Sequence, residues 1–459
     1  MIKRLFLGIL WLQAAALWSQ TAPPGAATAN AVMVDSGQNQ GQNQDQPMLV
    51  PTPVGGESYS MAFTDEEEPN FLRGGLTFQS AYDDNVTGGT TGRPVSDISY
   101  SIWPTIALDQ TRPRLHWNLL YSPGFTFYQR TSAYNETDQN VSLDLRYRLT
   151  PHVQLVLRDA FRKTSNILNQ ATVDSNTSIS GFIQSPNTSI IAPIGDLLSN
   201  TATAELSYQF SMNSMVGASG TFTDLHYGSH SDQSGLYDSS ARGGSGFYTH
   251  RISGKHYVGV TYQYQMLHSY PDSSSPLIGP SETQTNTIDA FYTVVLDPAV
   301  SVSFFGGPQH SSTTQFGLPA SNSWTPSGGV SVGWRERHTS VAASFSRAVT
   351  DGGGLVGAVR STSAAIAVRQ QLTKAWSAGV SANYAENKIL EPLAGINNGG
   401  HSIYATASVQ RQFGENFNAQ ASYTRIHQSY GNLGVLSAFP DRNREWISVS
   451  YQFSRPLGR

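Results

Sequence analysis

The sequence predicts an all-β fold: a transmembrane antiparallel up-and-down β-barrel of about 18 strands, preceded by a signal peptide and a disordered tail. Three observations carry the prediction. Apolar and polar residues alternate with period two in segment after segment. The connections between segments are short and long in turn. Past the amino terminus no apolar run approaches the ~20 residues that a membrane helix requires, so any span must be made of strands.

Composition agrees. Only 13% of the 459 residues are charged and 39% are hydrophobic, with Ser, Thr, Asn, Gln and Gly filling the remainder. The mean hydropathy is polar at -0.30. A wall with an apolar outside and a wet inside needs that mixture. A net charge of -4 gives no basic face for nucleic acid. The absence of cysteine excludes a disulfide framework, a thiolate metal site, a cysteine nucleophile and a lipid anchor on cysteine.

Taken in order, the chain opens on Lys3 and Arg4 before a mostly apolar stretch from Leu5 to Leu17, the pattern of a secretory signal over 1–22 with cleavage expected between Ser19 and Ala22. Residues 23–70, rich in Pro, Gln, Asn and Gly and ending near the acidic run Asp65 to Glu68, read as a disordered periplasmic tail. The barrel is expected over 71–453, with a short tail at 454–459. Val258, Val260, Tyr262, Tyr264 and Met266 alternate with Gly259, Thr261, Gln263 and Gln265, and Ile447, Val449, Tyr451 and Phe453 alternate with Ser448, Ser450 and Gln452. Strand starts fall near 72, 97, 114, 139, 152, 200, 215, 238, 256, 283, 299, 323, 338, 357, 375, 401, 416 and 443.

Tight connections such as Thr150-Pro151 and Ser253-Gly254-Lys255 separate long polar ones, among them 165–199, 350–356 and 388–400. Short periplasmic turns and long outer loops place both termini in the periplasm when the strand count is even. Tyr147, Phe210, Trp334, Trp376, Phe413, Phe417 and Phe453 sit beside short turns or the carboxyl end, on the parity assigned to lipid, and read as a periplasmic aromatic girdle.

The first strand closes on Tyr82-Asp83-Asp84-Asn85-Val86. Together with the signal and the low-complexity tail, that element resembles the β-barrel porin 2 family over about 71–453. The resemblance implies an outer-membrane barrel linked to export of surface polysaccharide, with export components as partners. The segment Val449 to Phe453 also looks like the terminal-strand signal read by the barrel-assembly machinery, although Ser454 to Arg459 follow it.

Lumen parity on the strands between 114 and 163 holds Arg114, Arg130, Arg146, Arg148, Arg158 and Arg162, which read either as an anion-favouring patch with Asp83, Asp109, Asp144 and Glu205 as counterweights or as a salt-bridge ladder that fills the barrel. The loop 165–199 carries Ile190, Ile191, Ile194, Leu197 and Leu198 and is expected to fold into the lumen as a constriction, or else to cap the outer mouth or pack on a neighbouring subunit. His226, His230, His268, His310, His401 and His427 map to the outer rim without the further ligands a metal site needs. No nucleophile elbow is present, and Gly88-Gly89 and Gly352 to Gly354 do not lie between a strand and a helix as a phosphate loop would. The reading is a channel for small solutes or a surface polymer, with no enzyme activity, metal or cofactor. Its expected partners are outer-membrane lipid, the assembly machinery, export components and a second copy of the chain. The competing reading is a plugged structural or adhesive barrel.

Overall fold

The chain is described by a computed structural model over residues 70–87, 93–164, 197–228, 236–270, 279–297, 299–315, 319–355, 357–390, 399–431 and 440–457. The signal segment, nearly all of the expected tail, most of the 165–199 loop, His230 and Gly88-Gly89 lie outside the described residues.

Eighteen strands form one sheet. They are β1 (Phe71–Asp83), β2 (Asp97–Arg112), β3 (Leu115–Tyr128), β4 (Glu136–Thr150), β5 (Val153–Thr164), β6 (Leu197–Ser211), β7 (Ser214–Tyr227), β8 (Asp238–Ser253) and β9 (His256–Tyr270). The second half comprises β10 (Ser281–Asp297), β11 (Val300–Gln315), β12 (Ser321–Glu336), β13 (Thr339–Thr350), β14 (Val359–Gln371), β15 (Trp376–Ile389), β16 (Gly400–Phe413), β17 (Phe417–Tyr430) and β18 (Asp441–Pro456). Every strand begins within three residues of its expected start. Each pairs antiparallel with its sequence neighbours, and β1 pairs with β18 from Phe71↔Pro456 to Asp83↔Arg444, so the sheet closes and has no first or last edge. The last strand runs to Pro456, three residues past the expected limit at Phe453, because Ser454 to Pro456 are held by Arg73, Leu72 and Phe71.

Alternation sets the two faces. Tyr100, Ile102 and Ile106 on β2, Val260 and Tyr262 on β9, and Ile447, Val449 and Tyr451 on β18 are exposed outward, whereas Ser99, Ser101, Thr261 and Ser448 between them are buried. With no water in a bilayer core, a closed barrel satisfies its backbone entirely between strands, and its outward apolar rows meet lipid. The inner face is instead knitted by hydroxyl pairs between neighbouring strands, including Ser101–Thr126 at 2.8 Å, Thr283–Thr313 at 3.0 Å, Thr293–Ser303 at 2.8 Å, Ser346–Ser363 at 2.8 Å and Thr406–Thr424 at 3.1 Å.

All seven expected girdle aromatics, Tyr147, Phe210, Trp334, Trp376, Phe413, Phe417 and Phe453, are exposed on the outer face at the short-turn end of their strands. Arg411 joins them: its guanidinium lies 5.1 Å from the Trp376 ring centre and 4.6 Å from that of Phe413. A cation stacked this way keeps its charge at the interface while its stem covers apolar surface.

Candidate functional site: a lumen strap and a charged wall

One connection leaves the wall. After Arg347↔Gly328 no β12–β13 pairing continues, while β13 stays paired with β14 up to Thr350↔Val359. The end of this hairpin enters the lumen, and residues 351–355 are all buried, as are Ala358 and Val359. A buried loop is unusual, because its backbone polar groups must be satisfied inside the protein. Here they are. Tyr227 donates its hydroxyl to the Gly353 carbonyl at 3.0 Å, and the Tyr237 amide donates to the Gly354 carbonyl at 2.9 Å. The Leu355 amide turns back to the Gly352 carbonyl at 3.0 Å, and the Val349 amide donates to the Gln309 side-chain oxygen at 2.8 Å. Ser239 donates to Asp351 at 3.4 Å.

The apolar part of this strap explains why it stays in. Leu355, 1% exposed, and Val359 pack with Leu225, Tyr227, Leu236 and Tyr430, while Val349 and Ala358 pack with Ala241 and Leu267. Burying a leucine of this kind contributes about 1.5–3 kcal/mol. Leu225 and Tyr227 end β7 and Tyr430 ends β17, ten strand steps apart one way round the ring and eight the other. The strap therefore spans the lumen. Its turn depends on Gly354, whose φ of +107° places it in a region closed to side-chain-bearing residues, and an added Cβ there would stand 2.9 Å from the Tyr227 hydroxyl. Sequence reading placed 350–356 among the outer loops and gave the constriction to 165–199; the strap is an inward constriction that it missed, and the described part of 165–199 is Leu197, Leu198 and Ser199 at the start of β6. The signal available was Leu355 and Val359 amid glycines.

The expected arginines lie in three places. Arg114 sits in the short β3 approach and is exposed, its carbonyl accepting from the Arg148 amide at 2.8 Å, and Arg148 is exposed at the same short-turn end. Arg130 lies in the loop after β3, where it pairs with Asp97 at 3.6 Å. Arg146 and Arg158 share one carboxylate, Asp144, at 3.1 and 2.9 Å. Arg162 faces inward from β5 under the charge of Asp138. Among the counterweights, Asp109 accepts from Asn118 at 3.4 Å and Glu205 is buried on β6.

Two further arginines, which sequence reading did not single out, lie on β18. Arg442 grips Asp83 on β1 with Nε at 2.8 and 3.0 Å from its two oxygens and Nη2 at 2.5 Å from one. Arg444, 2% exposed, has no hydrogen-bond partner at any of its three nitrogens among the described residues. Next to this pair, Asp84 accepts from the Asn443 amide and its side chain, both at 2.7 Å. Thus the arginine–carboxylate groups of Asp83 and Asp144 stand on β18, β1, β4 and β5, in a sector where no strap contact occurs among the described residues.

The rim histidines form pairs. His226 meets Asp238 at 2.5 Å, His427 meets Asp441 at 3.2 Å and stands 5.5 Å from His401 ring to ring, and His310 packs on Trp324 at 4.8 Å. Among the described residues no group of three or more His, Asp or Glu is arranged to hold a metal ion.

No protein-family model matches the sequence, and no curated relative matches it. Among solved structures the chain is similar to OccK2 (OpdF) of Pseudomonas aeruginosa, at 10% identity over 85% of this chain and 100% of that one, with a TM-score of 0.42. It is similar to OccAB4 of Acinetobacter baumannii at 9% identity over 85% and 100%, with a TM-score of 0.42. The ferric citrate transporter FecA matches at 12% identity over 80% of this chain and 61% of that one, with a TM-score of 0.40.

Proposed function

We propose that the chain is an outer-membrane channel for small polar solutes, narrowed at its long-loop end by the strap of residues 351–355 and 357–358. The observation that carries this reading is the division of the mouth: the strap is anchored through apolar contacts to β7, β8, β9 and β17, and the arginine–carboxylate groups of Asp83 and Asp144 stand on β18, β1, β4 and β5. A solute passing the strap moves along the charged sector. Charges at close quarters set ion preference, and where Arg146 and Arg158 share the single carboxylate of Asp144 the wall carries a local positive charge. The channel then favours anions and performs no covalent chemistry.

Single-channel current across planar bilayers under a salt gradient tests this. The refolded protein gives an anion-preferring conductance, and the double substitution Arg146→Gln with Arg158→Gln moves the reversal potential toward cations. A folded, heat-modifiable barrel that conducts neither as such nor with the strap deleted defeats the channel reading and favours the plugged structural barrel.

Export of a surface polysaccharide, implied by the resemblance of the Tyr82 to Val86 element, is the finer reading, with export components and a homo-oligomer as its partners. The inward rows of serine and threonine favour it, since hydroxyls suit a sugar chain. A polymer needs the strap displaced, so passage of oligosaccharides only through a strap-deleted variant supports it.

A further inference from the structure

We infer that the long-loop mouth holds a binding subsite for an oxyanion group, a carboxylate or a phosphate, built on Arg444 with Arg442 and Asn85. The inference deepens the channel reading by naming the chemical class of solute that the charged sector receives, and it rests on that reading for its purpose.

Arg444 faces the lumen because it shares the inward parity of Arg442 and Ser448, opposite to the exposed Ile447 and Val449. It is 2% exposed, yet Nε, Nη1 and Nη2 all lack a partner among the described residues. A guanidinium cannot shed its charge, and a buried charge without a partner is expensive. The charges of Asp83 and Glu136 act on Arg444 without hydrogen-bonding it, and Asp83 is held by Arg442 through both of its oxygens. Among the described residues Nη1 of Arg442 has no hydrogen-bond partner, and neither the nitrogen nor the oxygen of the Asn85 side chain has one.

Asn85 belongs to the same corner. Its amide donates to Asp83 at 3.0 Å, and Asp83 lies opposite Arg444 in the β1–β18 register. Five nitrogen donor atoms on these three residues thus lack a hydrogen-bond partner among the described residues, at one corner of the wall. A planar fork of N–H groups matches the oxygens of a carboxylate or phosphate two at a time, which a water-bound halide does not require. The committed Asp83–Arg442 pair keeps the neighbouring fork rigid while Arg444 stays free for the ligand.

The test uses the full chain in detergent with inorganic phosphate as probe. Titration calorimetry is run on the protein and on Arg444→Gln, Arg444→Met and Asn85→Ala, with heat modifiability on gels confirming that each barrel is closed. Phosphate binding at least tenfold weaker in both Arg444 variants, and weaker in Asn85→Ala, is the expected result. Removing a buried guanidinium that has no hydrogen-bond partner also raises the unfolding midpoint of Arg444→Met measured without phosphate, and phosphate raises the midpoint of the unmodified protein but not that of the Arg444 variants. Undiminished phosphate binding in Arg444→Gln, or a lower midpoint in Arg444→Met, overturns the site and makes Arg444 a structural residue. Conductance separates the two readings: phosphate binding without any current keeps the subsite and removes the channel, while an anion current with no phosphate binding does the reverse.

Discussion

The Tyr227 hydroxyl donates to the Gly353 carbonyl at 3.0 Å, tying the end of β7 to a loop that follows it in sequence by more than a hundred residues. This bond and the Leu355 contacts hold the strap across the lumen. Tyr227→Phe is expected to weaken the anchorage by about 1 kcal/mol, the usual net worth of such a bond. Leu355→Asp, which puts a charge into the apolar seat, releases the strap outright. In bilayers the first variant shows more frequent flicker at unchanged unit conductance, and the second a several-fold larger unit conductance.

Gly124 on β3 lies under the Trp103 ring, which is fully buried on the inner face of β2. A Cβ at Gly124 would fall inside the space the indole occupies. Gly124→Val therefore forces the ring or the strand to move, at a cost of about 1–3 kcal/mol for overpacking. Urea titration of the closed barrel, followed by tryptophan fluorescence, reads the change as a lower midpoint with a shifted emission maximum.

The two faces answer differently to the same new charge. Ile366 on β14 is 49% exposed toward lipid. Ile366→Arg is expected to destabilise the barrel by about 2–4 kcal/mol, the cost of a cation at the bilayer midplane. Ser381→Arg on the inner face of the neighbouring β15 leaves folding into vesicles nearly unchanged and shifts ion preference instead. Equal losses of stability from both substitutions would contradict the assignment of faces.

Asp83→Asn leaves Arg442 buried against a neutral partner. Removing one member of a buried pair costs about 3–5 kcal/mol, whereas replacing both with apolar residues is often neutral. The double variant Asp83→Leu with Arg442→Met is thus expected to recover most of the stability lost in Asp83→Asn. Equilibrium unfolding in urea distinguishes the two, the single change lowering the midpoint and the double change restoring it.

The strands were legible because alternation is a local property: Val258 to Met266 declares its two faces without reference to any neighbour. Turn chemistry fixed the starts of β5 and β9 equally well, at Thr150-Pro151 and Gly254-Lys255. What could not be read was anything that depends on pairing across the ring. Leu355 is one apolar residue among glycines, and its seat is assembled from the ends of β7 and β17, from Leu236 just before β8 and from Val359. Arg442 and Arg444 stand at the opposite end of the sequence from Asp83, so a search for charges between 114 and 163 passed over them. Arg146 and Arg158 were visible on the right parity, but their joint dependence on Asp144 appears only once β4 and β5 are in register.

The β1–β18 seam also sets an order of events. Asp83 and Asp84 find Arg442 and Asn443 across a sequence separation of 359 residues. Hairpins along the ring can pair as soon as two neighbouring strands exist, but this contact waits until the whole chain has been delivered. A chain truncated anywhere before β18 leaves two carboxylates at the end of β1 without their partners and an open edge beside them. Closure of the ring thereby doubles as a check on completeness, since only a chain that has reached β18 can pair these residues.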